Sequence, residues 1–261
     1  MLVGGALRLA VLWAAPFGVS ACGAAAPAGH DVVSAVEVRG AAAAEVEDES
    51  NLLDGLATRE DEIYDVDVLG KDLERIRRFY RARGYYAAVV RAARVVRVAP
   101  QKVRVEIEVA LGAPVLVTRI DLAGTEALPS ALAGEARRAV ELKVGDRLDE
   151  ALFHEAARDI EHALMDEGYA FAKVSERAEV SVVNRTARVE YRLTPGRPAV
   201  IGDIAVQGLG ELDETAVRAR LGLEKGARFS RRDLEAARRR LFGLGIFSAV
   251  DIKPNLKTPE N

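Results

Sequence analysis

Two stretches of the chain alternate apolar and polar residues with a period of two. Val103, Val105, Ile107 and Val109 fall on one side of the first, with Arg104, Glu106 and Glu108 on the other; Ala187, Val189, Tyr191 and Leu193 repeat the pattern in the second. This period predicts strands with one buried and one wet face. Ahead of each stretch, apolar residues recur three and four apart, as on one face of a helix. They are Leu69, Leu73, Ile76 and Tyr80, then Phe153, Ala156, Ile160 and Leu164; a third run, Leu234, Ala237 and Leu241, lies nearer the C-terminus. Each run has a start signal. Asp65 and Asp149 hold the cap position, and Ser230 with Asp233 three residues on forms a capping-box pattern. Gly84, Gly168 and Gly245 follow the helices and suit an end that needs positive φ.

These elements recur at a fixed spacing. Short apolar strands close on Gly40, Gly124 and Gly208, which lie 84 residues apart. Copies one and two align without a gap: Asp65 with Asp149, Ile76 with Ile160, Gly84-Tyr85 with Gly168-Tyr169, and Gly112-Ala-Pro114 with Gly196-Arg-Pro198. In copy three the offset falls from 81 at Gly226 to 77 at Gly245, a loss of about one helical turn that keeps the apolar face in phase. A fixed period means one supersecondary unit copied along the chain. Each unit reads strand, helix, helix, strand, strand. The first helix is expected over Asp213 to Leu221 and Ser130 to Val140; copy one has Glu45, Glu47, Asp48 and Glu49 there, then Leu52, Leu53 and Leu56. The units are expected over residues 32–113, 114–197 and 198–261. In the third, Phe247 to Ile252 reads as the second strand, and neither the third strand nor the Gly-x-Pro joint follows. Two expectations follow, that the sequence is the front part of a longer protein or that another segment finishes the third unit, and the first is favoured because a sheet short of one strand leaves unpaired backbone and apolar surface.

The N-terminal residues stand apart. Leu2 to Val19 is apolar with one charge, Arg8, and leads to Val19-Ser-Ala-Cys22. A short apolar core followed by small residues reads as a secretory signal over 1–22. The last four residues also resemble the bacterial lipoprotein signal, in which Cys22 becomes the lipidated first residue; the alternative is ordinary cleavage nearby, with Cys22 discarded. Residues 23–31, rich in Ala, Gly and Pro, read as a flexible tether. Cys22 is the only cysteine, so no intrachain disulfide forms.

Charge and chemistry narrow the function. A net charge of -3, from 37 basic and 40 acidic residues, argues against nucleic acid as the main partner. The basic runs Arg75 to Arg78 and Arg238 to Arg240 read as solvated helix faces, with contact to a membrane surface or anionic partner as the alternative. No catalytic constellation, cofactor motif or metal-ligand spacing emerges. His154 and His162 share a helix eight residues apart without paired ligands, and the Gly-x-Gly pairs at 208 and 243 lack the context of a dinucleotide fold.

The closing glycines, the internal Gly84-Tyr85-Tyr86, Gly168-Tyr169 and Gly245-Ile-Phe247, and the two Gly-x-Pro joints together resemble POTRA domains. These are modules of the bacterial outer-membrane assembly factor family, and the likeness runs from about Val32 to Ile252. The resemblance implies an α+β fold of tandem βααββ units, each a three-stranded mixed sheet covered by two helices. It implies a non-enzymatic periplasmic scaffold, attached to the outer membrane, that receives unfolded outer-membrane proteins and meets other assembly subunits. Attachment would come through a C-terminal β-barrel absent from the sequence or through lipidated Cys22. The resemblance also implies that clients add to the second strand of each unit by β-augmentation. On that reading the edges carry Tyr86, Val89 and Val90; Phe171, Val174 and Val180; and Phe247 and Val250. Two other readings stay open: the periplasmic part of a two-partner secretion transporter, and a lipid-anchored envelope adaptor that binds a partner protein. An enzyme ranks behind all of these.

Overall fold

The structure, a computed structural model, describes residues 29–40 and 49–255. The expected signal with Cys22, most of the tether, the acidic residues Glu45, Glu47 and Asp48, and residues 256–261 lie outside the described residues. The first unit contains β1 (Val32–Arg39), α1 (Glu49–Asp54), α2 (Val66–Ala82), β2 (Val89–Ala99) and β3 (Lys102–Ala110). The second contains β4 (Leu116–Ala123), a 3-10 turn (Thr125–Ala127), α3 (Ser130–Arg138), α4 (Glu150–Asp166), β5 (Lys173–Ser181) and β6 (Thr186–Thr194). The third contributes the helices α5 (Glu214–Leu221) and α6 (Arg231–Phe242).

The caps form where the sequence places them. The Asp65 carboxylate accepts the amides of Asp67 and Val68, Asp149 those of Ala151 and Leu152, and the Ser230 hydroxyl that of Asp233. Each satisfies amides that the first helical turn leaves without intrahelical partners. The helices then bury the expected stripe, with Ile76, Tyr80, Ile160 and Leu164 sealed from solvent.

Each complete sheet is mixed, in the order β1-β3-β2 and β4-β6-β5. The last strand of the unit in sequence is therefore the central one. It pairs parallel with the first strand (Val36 opposite Val105, Ile120 opposite Val189) and antiparallel with the second. The alternating residues of β3 and β6 bury their apolar side under the helices, forming one core per unit. The other side carries short-range ion pairs such as Arg104–Glu106 and Arg192–Glu190.

This topology corrects the reading of the third unit. Ile204 to Gln207 and Phe247 to Ile252, both expected as strands, form no strand. In the two complete units each outer strand is hydrogen-bonded to the central strand and not to the other outer strand. Among the described residues the third unit has no central strand, so the two flanks have nothing to pair with. A slot of about 440 Å³ lies between them, lined by Ile204, Val206, Val217, Leu241, Phe247 and Val250. The closing glycines report the same difference. A Cβ on Gly40 would sit 2.7 Å from the Val109 carbonyl oxygen, and one on Gly124 would run into the Leu193 carbonyl; at Gly208 it would meet nothing within 4 Å.

Candidate functional site

The two edges of each sheet differ. The loop between the helices covers the start of the first strand. The Val33 amide donates to the Glu62 carbonyl and the Asp61 amide to the Val33 carbonyl, both at 2.8 Å. On β4 the Val117 amide donates to Asp146, and the Gly145 amide to Val117, again at 2.8 Å. The third unit repeats this with Ile201, Ala227 and Gly226 although its sheet is not formed. No strand pairs with the outer side of β2 or β5 among the described residues.

These two open edges are not equivalent. β2 shifts register twice, between Arg91 and Arg94 and between Arg97 and Ala99. Such irregularities protect an edge against pairing. β5 pairs with β6 over nine residues without a shift. Its backbone groups face alternately toward β6 and outward. The Val174 amide faces outward, because it donates to a Glu161 carboxylate oxygen at 3.3 Å. The alternation then points the amides of Glu176, Ala178 and Val180 outward as well. Beside this edge, α4 supplies His154, Arg158, Glu161 and His162 to a groove of about 360 Å³ whose other wall is Val174 and Glu176. His154 Nδ1 contacts the Glu176 carboxylate. No group of three or more His, Cys, Asp or Glu among the described residues is placed to hold a metal.

The sequence-derived edge residues divide into three groups. Val89 and Val90 lie on β2, the first exposed and the second buried, and Val174 and Val180 lie half-buried on β5 against the core. Tyr86 and Phe171 do not lie on strands. A turn closed by Ala88 donating to the Tyr85 carbonyl, or by Ala172 donating to Tyr169, comes first, and the strands start after it. Phe247 and Val250 line the slot of the third unit.

Tyr86 belongs instead to the joint between units. Its ring rests on the second core, and its hydroxyl donates to Glu150 Oε1 at 3.2 Å. Burial, then the Glu150 charge, then that hydrogen bond push its pKa up to about 12, against a smaller opposing effect of Arg81. Deeper in the second unit, the Tyr191 hydroxyl donates to the Phe153 carbonyl at 3.1 Å. Burial, followed by the charge of Glu176, raises its pKa further.

The joints share one plan. The carbonyl of the glycine after the second helix accepts an amide from the next unit: Val115 onto Gly84 at 2.9 Å and Ala199 onto Gly168 at 2.8 Å. An arginine from the next interhelical loop then covers the glycine. The Arg147 guanidinium lies 5.2 Å from the Tyr85 ring centre and donates to its hydroxyl at 3.1 Å. Arg228 pairs with Glu167 at 2.8 Å and reaches the Glu167 carbonyl. Asp166 adds a bond from the Arg232 amide at 2.7 Å. Gly84 and Gly168 have positive φ and no room for a Cβ against these arginines. The signal for this contact is the arginine two residues after Gly145 and after Gly226, which strand and helix periodicity does not weigh. Asp72 likewise carries no signal in the helical periodicity. Fully buried, it accepts the amides of Ala57 and Thr58 and pairs with Arg75 at 2.7 Å, tying the end of α1 to α2.

A family model described as "POTRA: Surface antigen variable number repeat" matches residues 32–112, 115–196 and 199–261. Among solved structures, BamA POTRA3-5 from Haemophilus influenzae aligns with 19% identity and a TM-score of 0.58, covering 90% of this chain and 94% of that one. The N-terminal domain of Omp85 from the cyanobacterium Thermosynechococcus elongatus aligns with 20% identity and a TM-score of 0.37, covering 85% and 89%. CdiB from Escherichia coli aligns with 15% identity and a TM-score of 0.32, covering 70% of this chain and 30% of that one. No helix among the described residues is long and apolar enough to cross a membrane. Three family matches in tandem, which together span most of the chain, establish that the chain belongs to the POTRA family.

Proposed function

We propose that the chain is a non-enzymatic periplasmic scaffold in outer-membrane protein assembly, and that it receives an extended client segment as an added strand on β5. Membership of the POTRA family supports the scaffold role. The unpaired, unbulged edge of β5 is the observation that carries the client reading. An added strand reads main-chain groups and tolerates varied sequences, which suits clients whose own strands alternate. Its carbonyl would take the place of the Glu161 carboxylate at the Val174 amide. β2 is the weaker acceptor because of its bulges.

Proline in place of Ala178 tests this. Its missing amide faces away from β6, so the ladder of the second unit survives, while one bond to the incoming strand is lost. Binding of a nine- or ten-residue alternating peptide should weaken by roughly tenfold, the worth of about one net hydrogen bond plus the steric cost of the ring. Circular dichroism and melting should stay near the parent protein. Unchanged peptide affinity in a folded variant would sink the proposal.

A further inference from the structure

The groove between α4 and the β5 edge belongs to the second unit, whose sheet is complete. Ala157 lies at its base and Val174 forms part of its wall. At the repeat spacing of 84, Leu73 stands where Ala157 does, and it packs on the first core. Arg77 and Ala92 stand where Glu161 and Glu176 do. The second unit thus has a smaller residue beneath this edge and two carboxylates that the first unit lacks at these positions.

Neither carboxylate is well satisfied. Glu161 is half-buried, and its Oε2 accepts the Val174 amide at 3.3 Å, longer than the usual range for such a bond. One Glu176 oxygen contacts His154 Nδ1, and the other is buried without a hydrogen-bond partner among the described residues. A buried acceptor in that state is costly. With the histidines neutral, Glu161 and Glu176 outnumber the one cation of the groove, Arg158. Arg158 is exposed and precedes Glu161 by three residues, the weaker order for a helical pair of opposite charge.

An antiparallel strand added to β5 changes the state of Glu161. The client residue opposite Val174 exchanges both backbone hydrogen bonds with it, so its carbonyl takes the amide that Glu161 now holds. Its side chain falls on the same face of the sheet as that of Val174, which packs against the second core beneath α4. The residue that displaces the carboxylate therefore directs its own side chain into the groove beside it. A lysine or arginine there lays its methylene stem along Ala157 and Val174 and brings its charge to the freed carboxylate. An acidic side chain there meets two like charges.

We propose that this groove is a specificity pocket for one basic side chain, so that β5 favours antiparallel client strands with lysine or arginine opposite Val174. Glu161 is the main determinant and Glu176 the second acceptor. The proposal rests on strand addition at β5.

The test titrates the full chain with nine-residue alternating peptides, alike except for lysine, alanine or glutamate at the central position. The lysine peptide should bind roughly fivefold tighter than the alanine peptide, and the glutamate peptide more weakly than either. The lysine advantage should shrink as salt is raised. Glu161→Gln should bring the ratio of lysine to alanine affinities close to one. Glu161→Lys should reverse the order and make the glutamate peptide the tightest; the first unit already holds a cation, Arg77, at the matching position. Circular dichroism of both variants should match the parent. Equal binding of the three peptides by the parent, or an unchanged order in folded Glu161→Lys, would overturn the pocket and leave the β5 edge standing. Binding of none of the three, or undiminished binding of all three by Ala178→Pro, would remove the edge reading and the pocket together.

Discussion

The closing glycines tie a residue choice to a strand on the far side of the sheet. Gly124→Ala would place a Cβ against the Leu193 carbonyl at a left-handed φ of 87°, so both sterics and backbone strain oppose it. Gly208 has similar backbone but open space. Gly124→Ala should therefore cost about 2–3 kcal/mol and Gly208→Ala about 1, a ranking that thermal melts of the two variants will check. Tyr86 gives a second expectation. Its folded pKa is raised to about 12, above the ordinary value of 10, so the folded state holds the proton more tightly. Its contribution is intact below pH 10 and is lost as pH rises from 10 to 12. Tyr86→Phe should make urea stability fall less steeply over that window; an unchanged slope would show that the hydroxyl is not responsible. The glycine spacing was plain in the sequence. The role of Tyr86 was not, because an aromatic residue after a helix reads equally as strand or joint until the turn at Ala88 is known.

At the scale of elements, caps and periodicity located all three second helices, since Asp65, Asp149 and Ser230 act locally. Strands are a different matter. Period-two alternation described β3 and β6 well because each is central and paired on both sides. The flanks of the third unit have the right residues, Ile204 and Val206 on one side and Phe247 and Val250 on the other, yet no ladder. A strand is a property of a pair, and the partner does not show in the flank's own sequence. It follows that a central strand supplied separately should organise this unit. A peptide with the sequence of β6, Thr186 to Thr194, should raise the β signal in circular dichroism and stabilise the third unit against heat. A peptide with the same composition but scrambled alternation should not. The β5 edge was legible only through the family resemblance; what singles it out from β2 is register, which needs the structure.

At the scale of the molecule, three units joined by one repeated contact make a directional array. The donor of each joint is a loop arginine and the acceptor is the glycine turn of the unit before it. Such head-to-tail surfaces are the kind that build open-ended filaments when they recur on both exposed ends of one molecule. The first and third units lack the residues for it on these two surfaces. The loop of the first unit has Ile63 where Arg147 and Arg228 stand, and the turn of the third has Gly243 and Leu244 where Asp166 and Glu167 stand. The arginine contact of the two joints therefore cannot join one copy of this chain to another through these two surfaces. Restoring the contact with Ile63→Arg, Gly243→Asp and Leu244→Glu in one chain should convert it into concentration-dependent linear oligomers, visible by light scattering. Restoring one face alone should leave its oligomeric state as it was.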